Sequence, residues 1–483
     1  MGEITIEKNH KPAKKLKILS GREIYEPEIN NITIEIFDFY GHTSWLHDFL
    51  IGKGGDFDNK IESVRYQLKK GVKIRADLNI NENNYLFIYD IFKFLVNLGI
   101  KKILLELSEN KPPLRQLYSS LKEIINFARE NDIEINFNKY HKMLGVLFNE
   151  VFTGPDAVQF DVMATCNHNC IYCWWHSPLI KNKYPAFKKL DFSEFKSILD
   201  ELYDMGLTLV IFSGPGEPFL HPEFMKMIAY VKKKGLGLEI YTNGTTLTKK
   251  ILIELSKMKV DLISFNISAS NPKLYAKMHF NQNEKSFELL KNLLKWFSAY
   301  KKENNLMAPM VSVVNIITNQ NCEDIENMFI FSKEIDAQEI KFHFMMSFPD
   351  VESLRINNEQ FNSANEAIKL SQKKYAIPTY MLNLEYGSPT KPAENIFNGC
   401  YAGWYFARIQ LDKKIDPCCV GSHRIDWANS FSETWNSETY KEFRKRTKLH
   451  SNEYCNNCNR GGRLLGTIII KDELEKEGLS EFL

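Results

Sequence analysis

Between residues 157 and 344, short runs of β-branched and aromatic residues alternate with segments whose apolar positions recur at helical spacing. The runs at 157–162, 207–212, 238–242, 262–267, 311–317 and 340–344 are predicted strands, and the segments 192–205, 222–234, 248–258, 285–301 and 324–334 predicted helices. Strand and helix in strict alternation are the signature of a parallel sheet with helices packed outside it. Six strands with five intervening helices make an α/β fold of the open, partial (β/α)6 barrel kind, short of a closed eight-stranded barrel.

The first 152 residues repeat part of this plan. Strands are predicted at 32–38, 72–79 and 102–107, with helices at 60–70, 86–98 and 114–131. The spacing suits a degenerate repeat of half the barrel, either structural or completing a wall of a substrate cavity. Chance likeness between any two strand-helix-strand stretches is the competing account. The Gly, Pro and Asp residues at 153–156 mark a boundary. The chain thus reads as an N-terminal α/β domain (1–152), a core (153–346), a linker with a helix at 360–374 (347–397), and a cysteine-rich segment with a charged tail (398–483).

Composition changes this picture little. A chain of 483 residues, 44% hydrophobic and 25% charged, has the make-up of a globular protein of several domains. Its 62 Lys+Arg against 60 Asp+Glu leave a charge of +2, which calls for neither nucleic acid nor an anionic membrane. No stretch reaches the roughly 18 apolar residues of a membrane span, and the Lys-rich start has no signal-peptide core. A cytoplasmic protein is expected. In that reducing compartment clustered cysteines point to metal or catalysis before disulfides, and eight of the nine cysteines fall in two clusters. Cys322 stands apart and reads as a spare thiol.

Cys166, Cys170 and Cys173 form C-x3-C-x2-C directly after the first core strand, at the sheet edge where barrel enzymes place their chemistry. Three thiolates on a four-iron cube leave one iron open to a ligand that is not protein. Zinc is the alternative, with His168 or His176 as a fourth ligand, although the spacing is unusual for it. With Tyr172 before the third cysteine, the motif resembles the hallmark of the radical S-adenosylmethionine (SAM) superfamily. That resemblance implies a [4Fe-4S] cluster whose open iron is chelated by SAM, reductive cleavage to a 5′-deoxyadenosyl radical, and abstraction of a substrate hydrogen. It also implies an external electron donor of the flavodoxin or ferredoxin type.

The second strand ends in Ser213-Gly214-Pro215-Gly216-Glu217-Pro218, which resembles the family's Gly-Gly-Glu-Pro element for the methionine amino group, with Pro215 as a departure. Read without the resemblance it is a Gly/Pro turn closing a βα unit. The third strand ends Tyr241-Thr242-Asn243-Gly244, again similar to the family. Where relatives carry Ser-x-Asp for the ribose, this chain offers Asn266 and Ser268, and Asn315 on the fifth strand matches a polar position of relatives. Trp174, Trp175, His176 and His343 are candidates to line a substrate pocket, with ordinary packing as the plainer account.

Cys400, Cys418, Cys419, Cys455 and Cys458 form C-x17-C-C-x35-C-x2-C, which alone reads as a zinc ribbon. The sequence around them, 407–412, 416–419, 431–437 and Arg444, resembles the auxiliary-cluster extension of radical SAM enzymes in its SPASM and shorter twitch forms. The count implies one further [4Fe-4S] cluster on Cys400, Cys418, Cys455 and Cys458, with Cys419 left over or exchanging roles with Cys418. Four protein ligands leave no open iron, so the implied role is to accept the electron left on the substrate, a two-electron oxidation. The spacing is similar to that of a family dehydrogenase acting on an aminocyclitol. A small polar substrate such as a sugar or aminocyclitol is therefore expected, with a peptide maturase as the alternative. A reading of another class is a non-catalytic iron-sulfur or zinc protein.

Overall fold

The computed structural model describes residues 14–19, 22–27, 34–181, 188–345, 349–382, 399–418, 424–449 and 465–482. Two units account for the chain: Met1–Gly154 with Asp204–Gly206 and Leu465–Leu483, and Pro155–Tyr203 with Leu207–Leu464.

In the first unit an antiparallel pair, β1 (Lys14–Leu19) and β2 (Arg22–Pro27), precedes four parallel strands. These are β3 (Ile34–Phe39), β4 (Lys73–Ile80), β5 (Lys102–Leu107) and β6 (Glu134–Phe137), paired in chain order. By the right-handed rule for parallel crossovers, this consecutive order puts the connecting helices Asp56–Lys69, Ile88–Asn97 and Leu114–Glu130 on one face. Phe37, Phe39, Ala76, Leu78 and Leu105 are buried on that side. The other face carries Asp38, Arg75, Asp77 and Glu106, with Arg75 clasping Asp77 at 2.6 Å. The pairs β1–β2, strand β6 and helix His141–Phe148 were not foreseen in the sequence. Residues 465–482 join this unit: Lys111 pairs with Glu477 at 3.0 Å, Glu477 accepts the Leu114 N–H, and Phe482 stacks on Tyr118 at 4.0 Å. The C-terminal segment expected to run from 398 to 483 is therefore divided between the units.

The second unit holds the expected alternation. β7 (Ala157–Asp161), β8 (Leu209–Ser213), β9 (Gly237–Thr242), β10 (Leu262–Asn266), β11 (Met310–Ile317) and β12 (Glu339–Phe344) pair in parallel, each beside the next. Two further parallel strands flank them, β13 (Thr379–Leu382) on β12 and β14 (Phe406–Ile409) on β7. Antiparallel β15 (Lys414–Asp416) and β16 (Ile425–Asp426) continue from β14, so the cysteine-rich segment begins as an extension of the core sheet.

Strand alternation separates two faces. Phe160, Phe212 and Phe342 point outward, against Phe195, Phe224 and Phe329 of the helices, with ring centres 5.0, 5.0 and 5.4 Å apart. The inner face carries Asp161, Glu239, Tyr241, Asn266, Lys341 and Arg408. The Lys341 Nζ reaches Glu239 Oε1 at 2.6 Å although β12 and β9 are three strands apart, about 14 Å in a flat sheet. That contact requires a strongly curved sheet. The curvature turns a polar face inward at the edge where the loops carry the cysteines.

Candidate functional site

The cysteine loop leaves β7 and is strapped to two neighbours. On one side, the Ile171 N–H donates to Met278 O, Phe280 N–H to Asn169 O and Asn169 N–H to Asn281 Oδ1, tying the loop to the segment after helix Pro272–Met278. On the other, the amide of Asn243 donates to Asn167 Oδ1 at 2.7 Å and lies 4.0 Å from Cys166 Sγ. Cys166, Cys170 and Cys173 are all half-buried and free of disulfides. Backbone N–H groups already aim at two of the sulfurs: His168 at Cys166 (3.4 Å), and Trp175 and His176 at Cys173 (3.4 and 3.2 Å).

Burial pushes all three thiols up, Cys166 to about 12, which favours the protonated form until a cation replaces the proton. Soft sulfur donors with N–H groups pointing at them suit an iron-sulfur cube. His168, Cys170 and His279 also bring one donor each within 4.8 Å of one another, but this trio uses Cys170 and cannot be filled alongside the cube. His279 is fully buried, with its Nε2 at 2.8 Å from Ile267 O and its Nδ1 at 3.0 Å from Cys170 Sγ. Nothing in the sequence marked it.

The turn after β8 closes over the start of this loop. Gly214 has φ +135°, and a side chain at Gly216 would sit 2.3 Å from Thr165 O and 2.5 Å from Met163 O. Close backbone approach therefore demands glycine at 216. Pro215, between them, is not among the positive-φ residues, so proline there is compatible with the turn. Pro218 opens a one-turn 3₁₀ helix capped by Glu217. The Glu217 carboxylate is buried and accepts from Thr242 Oγ1 (2.7 Å), Asn243 N–H (2.8 Å) and Phe219 N–H (3.2 Å). Burial pushes it up to about 7, against the pull of those three donors. A carboxylate has about four acceptor sites, which leaves room for an ammonium.

Tyr172, Asn266 and Ser268 meet as one group. The Tyr172 hydroxyl donates to Asn266 Oδ1 (3.3 Å), and the Ser268 hydroxyl lies 3.0 Å from both. Ser268 also accepts the Ile316 N–H at 3.0 Å and has φ +54°, so its hydroxyl is already committed. Among the described residues the hydrogen bonds to the Asn266 side chain fall on its oxygen. Asn315 does not join them. Alternation puts it with Val313 on the helix-packed face, fully buried, with neither amide atom bonded among the described residues. His176 bonds Ala164 O at 2.8 Å, Trp174 lies against Trp175, and His343 shares the inner face with Lys341.

In the cysteine-rich segment the Cys400 N–H donates to Thr447 O at 3.0 Å, and Cys418 follows β15. Arg444 is buried between the Trp435 and Tyr440 rings, 4.3 Å from each centre, and donates to Gly403 O and Trp435 O at 2.8 Å. It is a staple of this segment. Cys419, Cys455 and Cys458 lie outside the described residues.

A three-thiol loop, a glycine-glutamate turn pressed onto it and a curved parallel sheet beneath define a radical SAM domain. The comparisons agree. Residues 161–331 match the family model of the radical SAM superfamily, and residues 400–459 that of the SPASM iron-sulfur cluster-binding domain. The chain carries both, the first binding SAM and a [4Fe-4S] cluster and the second an auxiliary iron-sulfur cluster. Relatives include the tungsten-containing aldehyde ferredoxin oxidoreductase cofactor-modifying protein of Pyrococcus furiosus, 24% identical over 62% of this chain and 85% of its own. Another is the AdoMet-dependent heme synthase of Methanosarcina barkeri, 25% identical over 67% of this chain and 95% of its own. Among solved structures, Streptococcus suis SuiB bound to SAM matches with TM-score 0.50 at 15% identity, over 80% of this chain and 86% of that one. SuiB bound to its precursor peptide SuiA matches at the same TM-score. Among the described residues no helix is long and apolar enough to cross a membrane.

Proposed function

We propose that this protein is a radical SAM oxidoreductase that abstracts a hydrogen from a small polar substrate, such as a sugar or aminocyclitol, and completes a two-electron oxidation. When bound, the open-iron cluster supplies the electron that cleaves SAM to a 5′-deoxyadenosyl radical. Cys166, Cys170 and Cys173 hold it, Glu217 takes the methionine ammonium beside the Gly214 and Gly216 backbone, and Asn266 offers its amide to the ribose. The observation that carries the oxidative reading is the pairing of β14 on β7. It seats the auxiliary segment beside the strand that delivers Cys166. The polar inner face, with Glu239, Tyr241 and Lys341 joined around Ser264, supports a polar substrate. A peptide substrate is the second reading, favoured by the likeness to SuiB with its precursor peptide.

The test begins with anaerobic reconstitution. Two four-iron cubes give about eight irons per chain, and SAM with dithionite releases 5′-deoxyadenosine. Extract from deuterium-grown cells, split by size into small-molecule and peptide fractions, then reports the substrate class by which fraction puts deuterium into that nucleoside. Replacing Cys400 or Cys418 by alanine should spare this labelling and stop oxidised product from accumulating. Normal product without those cysteines would sink the electron-acceptor role.

Glu217 gives a pH signature. A carboxyl titrating near 7 must ionise to hold an ammonium, so SAM affinity should weaken as pH falls through about 7. Glu217→Gln should bind SAM roughly 10- to 100-fold more weakly at pH 8, matching the 1.5–3 kcal/mol of a charge-assisted hydrogen bond. It should also lose the acid limb, as read by calorimetry on the reconstituted protein.

A further inference from the structure

β14 contributes one charged side chain to the inner face, Arg408, only 7% exposed. Its Nε and Nη2 donate to the two oxygens of Asp161 at 2.9 and 2.7 Å. Its Nη1 lies 3.7 Å from Asp416 Oδ2, and the guanidinium carbon sits 5.5 Å from the centre of the Trp174 ring. Each partner adjoins a cysteine: Asp161 ends the strand leading to Cys166, Trp174 follows Cys173, and Asp416 stands two residues before Cys418. Asp161 and Asp416 are 3% and 0% exposed, and Asp416 Oδ1 has no partner among the described residues. One planar fork therefore gathers both cysteine segments, which are some 250 residues apart in the chain, at a single buried junction.

We infer that Arg408 is a positioning residue that locks the auxiliary cysteine segment onto the SAM-cluster loop, so that the auxiliary centre assembles only on an intact Arg408–Asp161 junction. This rests on the proposal that Cys400 and Cys418 help to hold that centre. A buried ion pair serving packing alone tolerates replacement of both charges by neutral groups of similar volume. A junction that sets the register of two metal-binding segments does not, because a neutral side chain such as methionine has no fork to fix direction.

The full chain, reconstituted anaerobically, is compared as wild type, Arg408→Lys, and a triple variant with Arg408→Met, Asp161→Asn and Asp416→Asn, which leaves no buried carboxylate without its cation. Iron content is measured together with the electron paramagnetic resonance of the reduced protein, with and without SAM. The wild type should hold about eight irons and show one signal that SAM perturbs and one that it does not. The neutral triple variant should fall to about four, keeping the SAM-perturbed signal and losing the other, with Arg408→Lys in between. Eight irons and both signals in the triple variant overturn the inference, as does selective loss of the SAM-perturbed signal. Where the triple variant is insoluble, Arg408→Lys decides: wild-type iron and signals overturn it, partial loss of the SAM-insensitive signal supports it. A wild type with only four irons sinks the auxiliary-ligand reading and the inference with it.

Discussion

Serine at Cys173 should give a folded protein that releases no 5′-deoxyadenosine above background. The hydroxyl replaces a soft thiolate with a hard, poorly ionised oxygen at one of three ligand positions, and three is the smallest number that leaves a single iron open. Stability should change little. Cys173 is half-buried in a loop, and the core beneath it, Val158, Phe160, Val210 and Phe212, is untouched. The serine oxygen can still accept the Trp175 and His176 N–H groups that now point at the sulfur, at 3.4 and 3.2 Å. Iron should drop from about eight to about four per chain while the auxiliary centre persists, which separates this variant from one that is merely unfolded. Circular dichroism, iron content and nucleoside release on the same preparation make the check. A variant holding about eight irons and cleaving SAM would remove Cys173 from the ligand set.

Much of this arrangement was legible in the sequence because its parts are local. The three cysteines lie within eight positions of one another, and the turn from Gly214 to Pro218 is contiguous. The six core strands announced themselves as β-branched runs between helical segments. The parts that escaped are those that only the fold brings together: His279 meets Cys170 across 109 positions, Asn243 meets Cys166 across 77, and Arg408 meets Asp161 across 247. β13 and β14 have four residues each, too few for a period to show. Asn315 illustrates a different limit. It follows Val313-Val314 and precedes Ile316-Ile317, and a strand buried on both faces has no polar-apolar alternation to tell inside from outside. Only pairing with Phe342 fixes its side.

Alanine at Gly216 should be the most damaging single methyl in the core. Its Cβ would stand 2.3 Å from Thr165 O, 2.5 Å from Met163 O and 2.7 Å from Ala164 C, all backbone atoms of the segment that runs into Cys166. No side chain can swing away to relieve this, so either the cysteine loop or the turn must move. The two are also joined by the Glu217 N–H donating to Thr165 O at 3.0 Å, so movement of either displaces the carboxylate from Thr242 and Asn243. Overpacking of this kind costs about 1–3 kcal/mol in stability, but the functional loss should be larger because it strikes the first cysteine and the ammonium acceptor together. SAM affinity and iron content should therefore fall in parallel in Gly216→Ala. Gly54→Ala, where nothing lies within 4 Å of the added methyl, should stay within about 0.5 kcal/mol of wild type in thermal unfolding. Wild-type SAM affinity in Gly216→Ala would show that the turn does not press on the loop as described. The departure at Pro215 fits the same geometry, since the left-handed φ belongs to Gly214 and the close approach to Gly216, and the position between them asks for neither.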